Sequence, residues 1–66
     1  GRLIPLEIIL SNISRQYPGY HIDVDGPFDN GGRLIYRIKW LTPDGHVLII
    51  IADAQTGQIL SVRGGR

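Results

Sequence analysis

The residues from Leu34 to Ile51 constrain the fold most strongly, because together they describe a β-hairpin. Along residues 34–41 two sets of side chains alternate, and a period of two is typical of a strand. The sequence Thr42-Pro43-Asp44-Gly45 follows, with proline and glycine at positions that a type I turn favours. The apolar run Val47–Ala52 then predicts a second strand that returns antiparallel to the first.

The second strand of this hairpin is apolar on both of its faces, because residues 47–51 read Val-Leu-Ile-Ile-Ile. One alternating set of these side chains is expected to pack in a core, and the other set then faces water unless something covers it. A contiguous apolar patch on a sheet favours a binding partner or a self-interface. The alternative is that a chain end or a loop folds over this patch.

A helix precedes the strands. Pro5 suits a first helical turn, and Pro18-Gly19 ends the helical pattern. Between them, apolar and aromatic residues recur at the spacing of one helical face, namely at Leu6, Ile9, Leu10, Ile13 and Tyr17. The sequence therefore predicts a helix at about residues 5–17.

The remaining segments read as strands separated by turns. Strands are predicted at about residues 20–25, 33–42, 46–53 and 58–63, with a loop or wide turn at residues 26–32 and a frayed tail at residues 63–66. One helix can cover one face of such a sheet. We therefore expect a single domain over residues 1–66, of the α+β class. It has one N-terminal helix packed on an antiparallel β-meander of three to four strands.

Composition excludes several classes of protein. The 66 residues suffice for one domain only and include no cysteine, so neither a disulfide nor a thiolate metal site can form. The net charge of +1 gives no strong field toward nucleic acid or a membrane surface. The run Val47–Ala52 is far too short to span a bilayer, which takes about 20 residues.

The stretch DAQTGQIL, which begins at Asp53, is interpreted as a strand end, a turn and a strand start. The Asp53 carboxylate can accept hydrogen bonds from turn N–H groups, and Gly57 can supply a positive φ. We expect Asp53, Thr56 and Gly57 to form a structural turn. Asp53→Ala and Gly57→Val should each destabilise the fold.

Nearly the whole chain, from Leu6 to Val62, resembles the PepSY domain, in particular the small periplasmic PepSY-domain proteins of proteobacteria. The resemblance rests on a helix ending in YPG, an aromatic-containing alternating strand (residues 35–39), a turn ending in Asp-Gly, and a strand that closes in a D-A-x-T-G-x-(I/L/V)-L signature. In this chain the signature residues are Asp53, Ala54, Thr56, Gly57, Ile59 and Leu60.

The resemblance implies an extracytoplasmic protein, periplasmic or secreted, whose signal peptide was removed. The opening Gly1-Arg2, without methionine, fits a mature or trimmed chain. Members of the family occur in propeptides of secreted metallopeptidases, in membrane-anchored proteins and as standalone periplasmic proteins. They have been proposed to inhibit peptidases or to modulate their activity. No catalytic residues and no cofactor come with the motif.

Catalysis and metal binding find little support in the residues. His21 and His46 are expected to face solvent, and no nucleophile elbow surrounds Ser11, Ser14 or Ser61. The carboxylates of Asp23, Asp25 and Asp29 lie in a glycine-rich stretch and are weak candidates for a cation site. Counting from Asp23, however, an EF-hand would need glycine where Phe28 stands and glutamate where Leu34 stands.

A nucleic-acid interface is also disfavoured. Basic residues alternate with the aromatic residues Tyr36 and Trp40, but the alternation places the aromatic rings on the face opposite Arg37 and Lys39. The rings are therefore expected in the core and the basic residues at a solvated edge. The basic residues concerned are Arg33, Arg37, Lys39, Arg63 and Arg66.

Two hypotheses of different classes remain. The first is a noncatalytic module that binds a protein, such as a peptidase or an envelope sensor, through its sheet surface or an edge strand; a homodimer is an open alternative. Its predicted surface consists of Ile35, Arg37, Lys39, Leu48 and Ile50. The second is a periplasmic protein that binds a small ligand or a cation through residues 23–32.

Overall fold

A computed structural model describes residues 3–64 of the chain. In these residues one helix is followed by a single four-stranded antiparallel sheet with the strand order β1-β2-β3-β4, so the α+β prediction is confirmed. The elements are α1 (Leu6–Gln16), β1 (Tyr20–Asn30), β2 (Arg33–Leu41), β3 (Val47–Asp53) and β4 (Ile59–Gly64).

Helix α1 is one residue shorter at each end than the sequence predicts. Glu7 in its first turn and Arg15 in its last turn both carry the charge that the helix dipole favours. The helix ends at Gln16, and the extended backbone of the C-cap residue Tyr17 turns the chain toward β1 while its N–H still donates to the Ile13 carbonyl at 2.8 Å. Its apolar face buries Ile9 and Ile13 completely.

The core lies between α1 and one face of the sheet. Ile9 and Ile13 of the helix meet residues that are paired across β2 and β3, namely Ile38 with Ile50 and Tyr36 with Ala52. Trp40 lies in the same cluster, and its indole N–H donates to the Pro18 carbonyl at 3.0 Å. Its one polar atom is therefore satisfied, and the ring can be buried at little cost.

The predicted loop at residues 26–32 is wrong in its extent, because β1 continues to Asn30 and only Gly31 and Gly32 form the turn. The pairing of β1 with β2 is irregular between His21 and Asp23 and between Asp25 and Phe28. The second irregularity contains Gly26-Pro27, which is a cis peptide. An edge strand tolerates such residues at a bulge, because a proline there removes no hydrogen bond that the sheet needs.

The predicted frayed tail also needs correction. Arg63 and Gly64 belong to β4, where they pair with Ile49 and Leu48 of β3. Residues 65 and 66 of that prediction lie outside the described part of the chain.

Candidate functional site

The sheet has an open face, which is the face that points away from α1. Because Ile38 and Ile50 pair with each other and point into the core, the residues next to them on β2 and β3 must point to the opposite side. The open face consists of Tyr20, Asp23, Asp25, Phe28 and Asn30 on β1, of Arg33, Ile35, Arg37, Lys39 and Leu41 on β2, of Val47, Ile49, Ile51 and Asp53 on β3, and of Ser61 and Arg63 on β4.

The surface predicted from the sequence divides between the two faces of the sheet. Its β2 residues Ile35, Arg37 and Lys39 lie on the open face, but Leu48 and Ile50 do not. Ile35 is nevertheless buried, at 9% exposure, so of the predicted surface only Arg37 and Lys39 are exposed side chains on this face. Ile50 is fully buried, and Leu48 packs against the core beside it. The inclusion of Leu48 and Ile50 in an exposed surface is therefore wrong, because their partners across the ladder are the core residues Trp40 and Ile38.

The β3 residues that do reach the open face are Val47, Ile49 and Ile51, which we call the apolar stripe. Each is half-buried in the described structure. The sequence contained a signal that would have found them. Counting outward from the hairpin turn pairs Leu41 with Val47 and Lys39 with Ile49, which fixes the face of every residue in the ladder.

Charged side chains border the apolar stripe. The Arg37 Nη2 atom lies 3.2 Å from the Asp25 Oδ2 atom, and the Arg33 Nε atom lies 3.6 Å from the Asp53 Oδ2 atom. Lys39 and Arg63, by contrast, have no carboxylate oxygen within 4.0 Å among residues 3–64. These two cations pair across the sheet with the same residue, Ile49.

The turn after β3 is built around the carboxylate of Asp53, whose side chain is only 9% exposed. Its Oδ1 atom accepts hydrogen bonds from the backbone N–H groups of Gln55 at 2.7 Å and Thr56 at 3.0 Å. The Asp53 carbonyl accepts from the Gly57 N–H at 2.8 Å, and the Thr56 hydroxyl accepts from the Gln58 N–H at 3.2 Å. One side chain thereby satisfies two donors of a tight reversal.

This turn also docks on the N-terminal part of the chain. Gly57 has a φ of 79°, and a Cβ at this position would lie 2.8 Å from the Ile4 Cδ1 atom. The buried Ala54 donates its N–H to Leu34 and accepts at its carbonyl from the N–H of Ile4. Asn12 of α1 donates to the Gly57 carbonyl at 3.5 Å. No local pattern predicts the Asn12 contact, because its partner is 45 residues away.

Asp53 gives the fold a pH dependence. Hydrogen bonds from the Gln55 N–H, and to a lesser degree from Thr56 and the Arg33 charge, lower the pKa of Asp53 against the opposing effect of burial. A lowered pKa in the folded state means that the ionised form stabilises the fold above the unfolded value of about 3.9. That contribution is lost as the pH falls through the folded pKa.

We expect Asp53→Asn to be less stable than the wild type near neutral pH, and the two proteins to converge in acid. Asparagine keeps an oxygen that can accept from Gln55 and Thr56 but lacks the charge. Urea unfolding at a series of pH values from about 7 to about 2 measures the difference. Asp44, whose pKa the Thr42 hydroxyl lowers, is present in both proteins and cancels. A difference that stays constant with pH would contradict the prediction.

The remaining polar candidates do not converge on a reactive centre. A groove of about 340 Å³ lies between α1 and the start of β1, and His21 lines it together with Ser11 and Ser14. The Ser14 hydroxyl, however, donates to the Ser11 carbonyl. His46 lies elsewhere, on the β2–β3 turn, where its Nδ1 atom is 2.9 Å from the Asp44 carboxylate.

The three candidate cation ligands are engaged separately. Asp23 accepts from the Val24 N–H at 3.0 Å, Asp25 pairs with Arg37, and Asp29 accepts from the Gly32 N–H at 2.9 Å. No group of three or more acidic or histidine side chains in residues 3–64 is arranged to hold a metal ion. Nothing in the geometry therefore favours the cation-binding hypothesis.

Comparison with protein families decides the identity of the domain. The family model PepSY, described as peptidase propeptide and YPEB domain, matches residues 3–63. The chain belongs to the PepSY family. The match confirms the resemblance drawn from the D-A-x-T-G signature and from its place after the helix and the hairpin. Neither the curated proteins nor the solved structures give a match. The PepSY domain has no helix in residues 3–64 that is long and apolar enough to cross a membrane.

Proposed function

We propose that this PepSY domain is a noncatalytic module that binds another protein outside the cytoplasm, in the bacterial periplasm or after secretion. A peptidase or an envelope sensor protein is the proposed partner, and binding would inhibit or modulate it. The family supports this proposal, because its description names peptidase propeptides and PepSY domains are typically extracytoplasmic.

The observation that carries the proposal is the uncovered apolar stripe on the open face. The single helix of residues 3–64 packs on the opposite face of the sheet, where it meets Ile38 and Ile50. Val47, Ile49 and Ile51 consequently keep part of their aliphatic surface in water. An apolar centre with a polar, charged rim is the arrangement that protein interfaces use.

The open face also offers a rigid platform. The apolar stripe lies on β3, which is an inner strand paired with β2 on one side and with β4 on the other. A partner that binds there orders few flexible groups, so little conformational entropy is lost on association. Binding at such a platform requires no catalytic group, and the two histidines and the helix serines Ser11 and Ser14 lie away from it.

The test is a binding measurement with two lysine variants. Ile49→Lys places a charge in the centre of the open face, whereas Ile8→Lys makes the same change on an exposed position of α1, where the isoleucine is 50% exposed. Purified wild type and variants are compared by surface plasmon resonance against a panel of secreted metallopeptidases and extracytoplasmic sensor domains. Peptidase activity is assayed in parallel.

We expect at least one panel member to bind the wild type and Ile8→Lys with equal affinity. Its affinity for Ile49→Lys should be lower by about tenfold or more. A partner that binds Ile49→Lys as tightly as the wild type would contradict the assignment to the open face. A panel without any binder would contradict the proposed class of partner.

A further inference from the structure

Charge is distributed unequally over this PepSY domain. Residues 3–64 contain five basic side chains, and only Arg15 lies off the open face. The other four, Arg33, Arg37, Lys39 and Arg63, are on the open face with three acidic residues, which leaves it with one net positive charge. The rest of the described surface has three acidic residues, Glu7, Asp29 and Asp44, against Arg15.

The positive charge of the open face is concentrated in one row across the sheet. Arg33 and Arg37 each have a carboxylate partner, at 3.6 Å and 3.2 Å. Asp23 lies opposite Lys39, but its Oδ1 atom accepts from the Val24 N–H, and no Asp23–Lys39 ion pair forms. Along the row, Lys39, Ile49 and Arg63 are directly adjacent on β2, β3 and β4.

We propose that this row, Lys39–Ile49–Arg63, selects a partner segment in which an apolar side chain is flanked by two carboxylates. The inference rests on the proposed function and names the chemistry of its partner. The Cα atoms of Lys39 and Arg63 are two strand spacings apart, about 10 Å. Both side chains are long and exposed, so their charged groups reach beyond that span.

An extended peptide segment that lies across the strands can match the spacing between the Lys39 and Arg63 charges with every second residue of its own chain. Side chains at i, i+2 and i+4 of an extended chain share one face and span about 13 Å. The pattern acid-x-apolar-x-acid therefore places the apolar side chain over Ile49 and one carboxylate near each cation. Such charge complementarity adds specificity and speeds association in addition to the apolar contact.

Two other occupants fit the open face less well. In a face-to-face pair of copies, the net positive charge of one open face would meet that of the other, and like charges across an interface are costly. Single-stranded nucleic acid needs aromatic rings on which its bases can stack. Trp40 is buried and Tyr36 points to the core side of the sheet, so the aromatic rings on the open face are those of Tyr20 and Phe28. These two rings lie on the edge strand β1 and not along the row. The three carboxylates of the open face also oppose a phosphate backbone.

In the experiment, peptides that bind the immobilised domain are selected from a displayed library of random linear sequences. The same library is selected in parallel on three immobilised variants: the double variant Lys39→Glu/Arg63→Glu, Ile49→Lys, and the control Ile8→Lys. Circular dichroism first verifies that each variant is folded. The readout is the residue frequency at each position of the enriched peptides, followed by the Kd of the best peptide at low and high salt.

We expect the wild type and Ile8→Lys to enrich acid-x-apolar-x-acid peptides. The double variant should bind these peptides about tenfold or more weakly and should itself enrich basic ones. High salt should weaken the wild-type complex, because the contacts lie at an exposed rim.

If the enriched peptides lose affinity for Ile49→Lys but contain no excess of acidic residues, this inference is overturned and the proposed function stays intact. Enriched peptides that bind Ile49→Lys unchanged, or no enrichment at all, would overturn both. Two further results would overturn the acidic segment as the occupant. If the wild type self-associates and the double variant does so more strongly, the occupant is a second copy of the domain. If a single-stranded oligonucleotide binds and competes with the peptides, the occupant is a nucleic acid.

Discussion

Ile50→Lys is expected to unfold the domain, whereas Ile49→Lys, one residue earlier on the same strand, is expected to leave it folded. Ile50 is fully buried between α1 and the sheet, in contact with the cluster that contains Ile9, Ile13 and Ile38. Removing a buried isoleucine side chain alone costs about 2–5 kcal/mol. A lysine at that position must also bury its charge or lose its proton, which adds to the cost.

The total stability of a domain is about 5–15 kcal/mol, and a chain this short lies toward the lower end. The loss at position 50 is therefore comparable to the whole stability. Ile49 is half-buried on the open face, where a lysine can extend its ammonium group into water between Lys39 and Arg63.

Far-ultraviolet circular dichroism and thermal unfolding of both variants, with Ile8→Lys as the exposed control, measure this contrast. A folded Ile50→Lys with a melting temperature close to the wild type would show that the core side of β3 has been assigned to the wrong face. Equal losses for Ile49→Lys and Ile50→Lys would show that the open face is also part of a core.

Gly19→Ala is expected to destabilise the domain by about 3 kcal/mol or more. Gly19 connects α1 to β1 and has a φ of 121°, which residues with a side chain rarely adopt. A Cβ there would lie 2.0 Å from the Leu41 carbonyl oxygen and 3.0 Å from the Trp40 Nε1 atom. The backbone must shift, and the shift disturbs the end of β2 and the hydrogen bond from Trp40 to Pro18.

The matched control is Gly45→Ala in the β2–β3 turn. Gly45 also has a positive φ, 87°, but a Cβ there would meet no atom within 4 Å. Its substitution carries the conformational cost alone, about 1–2 kcal/mol. Urea unfolding of both variants separates the two contributions. Equal losses would mean that the chain relaxes around Gly19 without cost, and that the close approach to Leu41 does not constrain the connection.

Local sequence patterns predicted most elements of this PepSY domain, because those elements depend on neighbouring residues. The helix follows from an apolar face between Pro5 and Pro18, and the hairpin follows from two apolar strands around a Pro-Asp-Gly turn. The second half of β1 was missed, since Gly26-Pro27 resembles a loop locally. Pairing of Phe28, Asp29 and Asn30 with β2 overrides that local preference.

The candidate surface was predicted only in part, for a related reason. On β2, charged and apolar side chains alternate, so the sequence itself marks Arg37 and Lys39 as solvent-facing. On β3 all five residues from 47 to 51 are aliphatic, so the pattern of this strand taken alone gives no indication of which face is buried, and the face follows only from its register with β2. The choice of Leu48 and Ile50 in place of Ile49 and Ile51 is the consequence.

The sequence by itself determined the single helix, the antiparallel meander, the Asp53 turn and the membership of the PepSY family. Each of these depends on short-range spacing or on a contiguous motif. Only the tertiary structure decided that the turn at Gly57 docks on Ile4 and Asn12, and that Arg63 of β4 joins Lys39 beside Ile49. The docking contacts join residues that are distant in the chain, and the register of β4 is shifted between Ile51 and Ala52, so neither follows from a local pattern.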